Sequence, residues 1–346
     1  VGVNSQGVFA APKGNTDGVD LKPYKIVENG AFVYNPTRLE LGSIAYRTEG
    51  LCIVSHLYMV FYLTDAGKKI IDPMWLYIYF RRSEFCREVK FRNFGSQRPE
   101  FNFNDMSDIV IPLPDIEIQK KYVDIYNAML ENQKSYEYGL EDLKLACDAY
   151  IEDLKHGIHC KAIGPYVERH DVRNRTNEIK NVMGVSTSKE FREPTSKVNR
   201  NELSNYKIVR PRQISFVQTT HNEKVFAYAF NNTEDDIVVT SVNEVFSVDE
   251  DKLLPEYLCM FFNRTEFDRY ARFHSWGSAR ETFTWDDLVK VEIPIADMKT
   301  QKAIADIYKA YKERKAINEK LKEQIKEICP ILIKGSIEEA RKAKEA

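Results

Sequence analysis

The chain has 346 residues, of which 43% are hydrophobic and 29% charged, with a formal net charge of −2. That length allows two ordinary domains plus connecting elements, and no apolar run approaches the roughly eighteen residues a membrane-spanning helix needs. As an average the net charge is uninformative. Locally, however, Lys189, Arg192, Lys197, Arg200, Lys207, Arg210 and Arg212 face only three acids between positions 184 and 217. Such segregation allows a basic patch on one face. The cysteines at 52, 86, 147, 160, 259 and 329 include no CxxC pair and read as reduced thiols of a cytosolic protein.

Residues 1–23 are rich in Gly, Asn, Ser and Pro, a loop-forming composition. Short β-branched and aromatic runs follow (YKIV, AFVYN, SIAYR, LCIVS, LYMVFYL) between Tyr24 and Leu63, separated by turn residues, and are expected as strands. Residues 72–92 read as helical, with Asp72 as cap and Pro73 in the first turn. The loop NFGSQRPEF comes next, then a short helical stretch near Asp105, then a strand before Pro112. From Asp115 to about Lys155 the chain is a long helix former, and 156–170 read as linker. The plan then repeats: strands from Tyr206 to Phe246, a helix from Pro255 to Phe273, the loop HSWGSARETF, residues 285–289, and a second long helix from Asp297 that Pro330 is expected to cut short.

The repetition has one register. Gln119-Lys120 returns as Gln301-Lys302, an offset of 182 positions, and Asp124-Ile125-Tyr126 returns as Asp306-Ile307-Tyr308. Tyr24-Lys25-Ile26-Val27 and Gly95-Ser96-x-Arg98 recur at the same offset as Tyr206-Lys207-Ile208-Val209 and Gly277-Ser278-x-Arg280. Chance supplies one such match, not a series over more than a hundred positions, so the chain is a tandem duplication. The expected fold is α+β: a mixed α/β domain followed by a long helix, twice over. Residue 1 aligns with Met183, so the first unit is expected to lack a counterpart of about 161–182.

Apolar residues in the two helices recur at steps of three and four, including Ile125, Met129 and Leu143 in the first and Ile307, Tyr311 and Leu321 in the second. At a rise of about 1.5 Å per residue, forty residues make a rod of roughly 60 Å, so narrow a seam being best buried on the other rod. Asn132 and Arg314 share a repeat position and interrupt both seams, as register-fixing polar residues do.

Catalytic signatures are missing. There is no glycine-rich FxGxG, no P-loop, and Asn35-Pro36-Thr37-Arg38 lacks the third proline and aromatic of an amino-methyltransferase motif. A nuclease pattern assembled from Asp115, Asp142 and Lys144 puts two of its members mid-helix, where a charged pair is ordinarily a solvated face. His156, His159, Cys160 and His170 are better read as linker than as metal ligands, since the second unit has no equivalent cluster. No cofactor or metal is expected. The Gly-Ser-x-Arg loops are the better contact candidates, because Ser96, Gln97, Arg98, Ser278 and Arg280 offer hydroxyl, amide and bidentate guanidinium donors. An internal ion pair for each Arg explains the repeat equally well. The segments that differ between units offer different donor sets, Asn4, Ser5 and Gln6 against Ser188, Lys189 and Arg192.

The stretch IPLPDIEIQKKYVDIY, the duplication, and the YKIV…GSxR…helix order of both units resemble the specificity (S) subunit of type I restriction–modification systems. The resemblance implies two target-recognition domains, 1–114 (its start incomplete) and 158–296 with its linker. It further implies conserved helices at 115–157 and 297–333, packing as an antiparallel coiled coil, and a tail at 334–346. It implies a cytoplasmic prokaryotic protein without chemistry of its own that reads a split sequence in double-stranded DNA. Two adenine-methylating modification subunits would dock on the helices, with restriction subunits joining through them. The alternatives are the recognition portion of a single-chain restriction–modification enzyme, or a non-catalytic scaffold that binds proteins.

Overall fold

A computed structural model describes residues 1–12, 18–93, 100–219, 225–276 and 281–345. They form two compact units, Val1–Glu137 with Ala316–Ala346, and Tyr138–Lys315. Each unit therefore holds one globular domain and parts of both long helices.

The first unit begins with the hairpin β1 (Gly2–Val3) and β2 (Phe9–Ala10), followed by β3 (Lys25–Val27), β4 (Ala31–Tyr34), β5 (Ile44–Tyr46), β6 (Cys52–Val54) and β7 (Met59–Tyr62). Strand β4 lies between β5 and β7, and β3 pairs with β6, all antiparallel. Alternation along β4 feeds two cores: Phe32 and Tyr34 enter the larger one, Ala31 and Val33 a smaller one with Val3, Val27 and Val54. Helices α1 (Asp65–Lys68), α2 (Pro73–Phe80), α3 (Ser83–Arg92), α4 (Phe103–Ser107) and α5 (Ile116–Gly157) follow. Asp72 caps α2 by accepting from the Met74 and Trp75 amides at 2.8 and 3.1 Å. Residues 72–92 form two helices rather than one, because Arg82 between them is extended.

The second unit contains β8 (Cys160–Ala162), β9 (Val167–His170), the hairpin β10 (Gly184–Val185) and β11 (Phe191–Arg192), then β12 (Lys207–Val209), β13 (Ile214–Val217), β14 (Tyr228–Phe230), β15 (Ile237–Val239) and β16 (Asn243–Val248). It continues with α6 (Pro255–Asn263), α7 (Thr265–Phe273), α8 (Trp285–Leu288), β17 (Glu292–Pro294) and α9 (Met298–Glu345). The main sheet has the order β14-β13-β16-β9, and β8 pairs with β17. Residues 156–170 are thus more than linker, since they supply strands to both sheets. The strand expected before Pro112 is corrected: residues 109–111 pair with no strand among the described residues and Val110 is 89% exposed, whereas the equivalent stretch of the second unit, Glu292–Pro294, pairs with β8. The cap of the short helix repeats in both units, as the boxes Asn102–Asp105 and Thr284–Asp287.

Within each unit the long helices run antiparallel. In the first, Lys121 meets Glu339, Gln133 meets Asn318 and Glu137 meets Lys322. In the second, Cys147 and Ile151 of α5 share a core with Ile304 and Tyr308 of α9, together with Phe216, Phe226, Phe246 and Phe262 of the domain. The expectation that Pro330 ends the second helix is corrected: α9 runs through it to Glu345. The proline gives up its own amide bond to the carbonyl of Lys326 and crowds that carbonyl with its ring, and the helix beyond it is held by packing. Leu332 and Ile333 lie in the first unit's core, and the Trp75 indole donates to Ser336 Oγ at 3.1 Å. Among the described residues no helix is long and apolar enough to cross a membrane.

Candidate nucleic-acid interface

Each domain is fixed to its helix by one buried glutamine. Gln119 donates from Nε2 to the carbonyls of Ile70 and Pro114 at 2.8 and 2.7 Å and accepts from the Asp72 amide at 2.8 Å. Gln301 donates to Lys252 and Ala296 at 2.9 and 2.8 Å and accepts from the Leu254 amide at 2.9 Å. Every partner is displaced by the repeat length. Both side chains are wholly buried, so a carboxamide, with two donors and an acceptor, is the group that satisfies the site. The sequence pointed to Gln119-Lys120 and Gln301-Lys302 as a repeat, without this role.

Beyond the clamp the two units diverge, and they do so at the hairpins that carry the expected donors. In the first unit Asn4 Oδ1 accepts from the Gln6 and Val8 amides and shapes the turn, leaving Ser5 and Gln6 exposed. Arg81, buried at the end of α2, donates to the carbonyls of Gly42 and Ser5 at 2.5 and 3.2 Å. Gly7 has φ +77°, and a Cβ there would lie 2.5 Å from the Arg81 guanidinium. In the second unit the anchor reaches the other way. Lys189, at the repeat position of Gly7, has φ 63° and sends its ammonium inward to the Phe262 carbonyl and Asp268, both at 2.8 Å. Burial pushes its pKa down, with Asp268 opposing. Lys189 is therefore part of the domain's interior, not of a surface donor set. Ser188 is exposed, its hydroxyl 2.6 Å from that of Ser186, and Arg192 is exposed with no ion pair among the described residues. Ser96, Gln97, Arg98, Ser278 and Arg280 lie outside the described residues.

The basic run between 184 and 217 is mostly neutralised inside the unit. Lys207 is buried between Asp171 and Glu244, and Arg212 pairs with Glu250 and Glu256. Arg192, Lys197 and Arg210 stay exposed without an ion pair among the described residues. Glu190 binds Lys312 and Lys315 of α9, tying the second hairpin to the helix; burial raises its pKa, but the two lysines outweigh that and hold it low. Arg264, between α6 and α7, engages Asp148 and Glu152 of α5 together with Glu266. Lys155 and Arg264 hold the Glu152 carboxyl down at about 2. A cleft of about 450 Å³ beside this cluster is lined by Lys155, Arg264, Arg269, Glu266 and Glu292, among others. Most of those charges pair with each other, which makes a brace rather than a reactive centre. His170 bonds the Ser247 hydroxyl at 2.8 Å, and no metal-binding cluster exists among the described residues.

One surface was not anticipated. Phe91 and Phe273, equivalent residues at the ends of α3 and α7, are 74% and 80% exposed, whereas Phe85 and Phe267, six residues earlier in the same helices, are buried. The signal was available in the sequence, since both fall at the 182-residue offset.

A family model for the type I restriction modification DNA specificity domain matches residues 3–137 and 165–327. The chain belongs to this family. As a specificity chain it has two copies of the domain, and its fold is also that of a solved relative. The type I restriction–modification S subunit from M. genitalium is 11% identical, with a TM-score of 0.57, over 90% of this chain and 83% of that one. The HsdS subunit from Thermoanaerobacter tengcongensis is 16% identical, over 97% and 88% of the two chains, with a TM-score of 0.40. A structure described as bearing on complex assembly of the type I system is 14% identical over 90% and 83%, with a TM-score of 0.45. A comparison with curated proteins gave no match.

The seam of the specificity chain's helices differs in detail from the apolar count. Ile125 is 43% exposed, whereas Val123 and Tyr126 beside it are buried. Met129 and Ile307 pack partly against their cores, and Leu143, Tyr311 and Leu321 are half-buried. Asn132 and Arg314 are exposed; the buried polar pair is Gln133 and Asn318, joined at 2.9 Å. Arg314 instead lies over Gly139, where a Cβ would come within 2.7 Å of its guanidinium.

Proposed function

We propose that this specificity chain reads a bipartite sequence in double-stranded DNA, one half with each domain, and presents its long helices to two adenine-methylating modification subunits. Restriction subunits join through those, in the cytoplasm of a prokaryote. The chain itself does no chemistry. One observation carries the reading: the same glutamine clamp sets both domains on their helices, while the hairpins beyond it carry different donors. Identical mounting with divergent tips is what an asymmetric split site requires, because phosphate and scaffold contacts position while base contacts specify. Methylation of an extruded adenine belongs to the partner, as catalysis on a base requires its removal from the stack.

The test is methylome sequencing of a host co-expressing the chain with its modification subunits. The expected result is one asymmetric, interrupted adenine-methylated sequence, of which exchange of residues 184–296 for a related domain alters one half only. A continuous site, or both halves changing together, overturns the reading.

A further inference from the structure

The outer ends of α3 and α7 carry the same combination in both units. Phe91 follows Lys90 and lies one helical turn after Arg87; Phe273 follows Arg272 and lies one turn after Arg269. All six residues are exposed. In α7 the carboxylates are used internally: Glu266 is held by Arg264 and Lys155, and Asp268 by Lys189. Arg269 and Arg272 are exposed and have no ion pair among the described residues. In α3 Glu84 and Glu88 are balanced by Arg87 and Arg92, which leaves Lys90 as the excess charge. The Phe273 ring is supported from beneath. His274 meets it edge-on with ring centroids 5.2 Å apart, and Tyr270 backs His274 at 4.3 Å. Trp276, three residues on in the chain, is also 75% exposed.

An exposed phenylalanine with an unpaired cation next to it in the chain disfavours a hydrophobic protein partner, whose approach would desolvate that charge, and favours a polyanion with apolar faces between its phosphates. We infer that Phe91 and Phe273 are DNA wedges: each ring inserts at a base step of its half-site while Lys90 or Arg272 contacts the flanking phosphate. The repeat gives each half-site one such ring, so the wedge is part of the common mounting and the hairpins supply what differs. This rests on the DNA-reading function proposed above, which it deepens by naming contact residues.

The experiment uses the chain assembled with its modification subunits. The probe is a duplex carrying the sequence methylated in cells, with 2-aminopurine placed in turn in each half-site. Phe273→Ala is expected to weaken binding about tenfold and to remove the 2-aminopurine fluorescence gain in one half-site only, and Phe91→Ala in the other. Phe273→Leu, which keeps an apolar wedge, retains most of both signals. Arg272→Gln lowers the salt slope by about one contact. Because the rings are exposed, these changes leave the cores intact. Alanine variants that bind and fluoresce as the wild type overturn the inference while leaving the DNA-reading function standing. An alanine variant that no longer co-elutes with the modification subunits also overturns it, the ring then serving a protein contact. A wild-type assembly that binds no duplex overturns both.

Discussion

Gln119 and Gln301 are small parts with large leverage. Each is a fully buried amide whose three hydrogen bonds join the first turn of a long helix to the segment preceding α2 or α6 and to the chain entering the helix. Truncation to alanine strands one amide and two carbonyls with no water to replace the lost partner. Each stranded buried group costs about 1–3 kcal/mol, so Gln119→Ala and Gln301→Ala should each lower stability by roughly 2–4 kcal/mol once partial relaxation is allowed for. Glutamate is no substitute, as its carboxylate can accept from the Asp72 or Leu254 amide but cannot donate to the carbonyls. Denaturant melts of the single variants check this, and unchanged midpoints would remove the clamp from the account of how each domain is mounted. The anchoring cations make a related point at the same scale. Arg81 and Lys189 do one job from opposite ends, and at each position the other unit has a residue that could not do it: Asn263 for Arg81 and Gly7 for Lys189.

At the scale of elements, the strands were legible because β-branched and aromatic runs bounded by turn residues have few other uses, and β3 to β7 fall where those runs lie. The helices were less so, for three physical reasons. Helix α2 is buried from Trp75 to Phe80 and shows no polar face to read. Pro330 marks a local cost, but the packing of Leu332, Ile333 and Ser336 overrides it. The seam was read from apolar residues alone, which hid Gln133 and Asn318 because they are polar, and Asn132 took their place. The contact candidates were chosen by residue type, which carries no direction: nothing in the sequence says that Lys189 turns inward. The buried pair gives a test of the corrected seam. Gln133→Leu leaves the Asn318 amide, 3% exposed, without its partner and should cost about 1–3 kcal/mol. The double change to Gln133→Leu with Asn318→Leu should recover most of that and loosen the register instead. A double-mutant cycle by chemical denaturation measures the coupling. Additive losses would mean that the two side chains do not act as a pair.

For the whole molecule, the proposed reading of a split site has a consequence for the spacing of its two halves. Both long helices pass from one unit into the other, α5 after Glu137 and α9 after Lys315. If they set the unread distance between half-sites, lengthening them should lengthen the spacer in the target. The antiparallel pairing of Lys121 with Glu339 and of Gln133 with Asn318 requires the insertion in both helices, after Glu137 and before Ala316, since a change in one alone shifts every pair beyond it. Four residues in each add about 6 Å of helix, and DNA rises about 3.4 Å per base pair, so the spacer should grow by roughly one to two base pairs with both half-sites unchanged. Four is the length to choose because it is close to one turn of about 3.6 residues and keeps Val123, Tyr126 and Gln133 nearly in phase with the seam beyond. Two residues would rotate that seam by about 200° and should abolish folding or assembly instead. Methylation of a target library with graded spacer lengths gives the readout. A four-residue variant that folds, assembles and still methylates only the original spacer would show that the helices hold the domains without measuring the distance between half-sites.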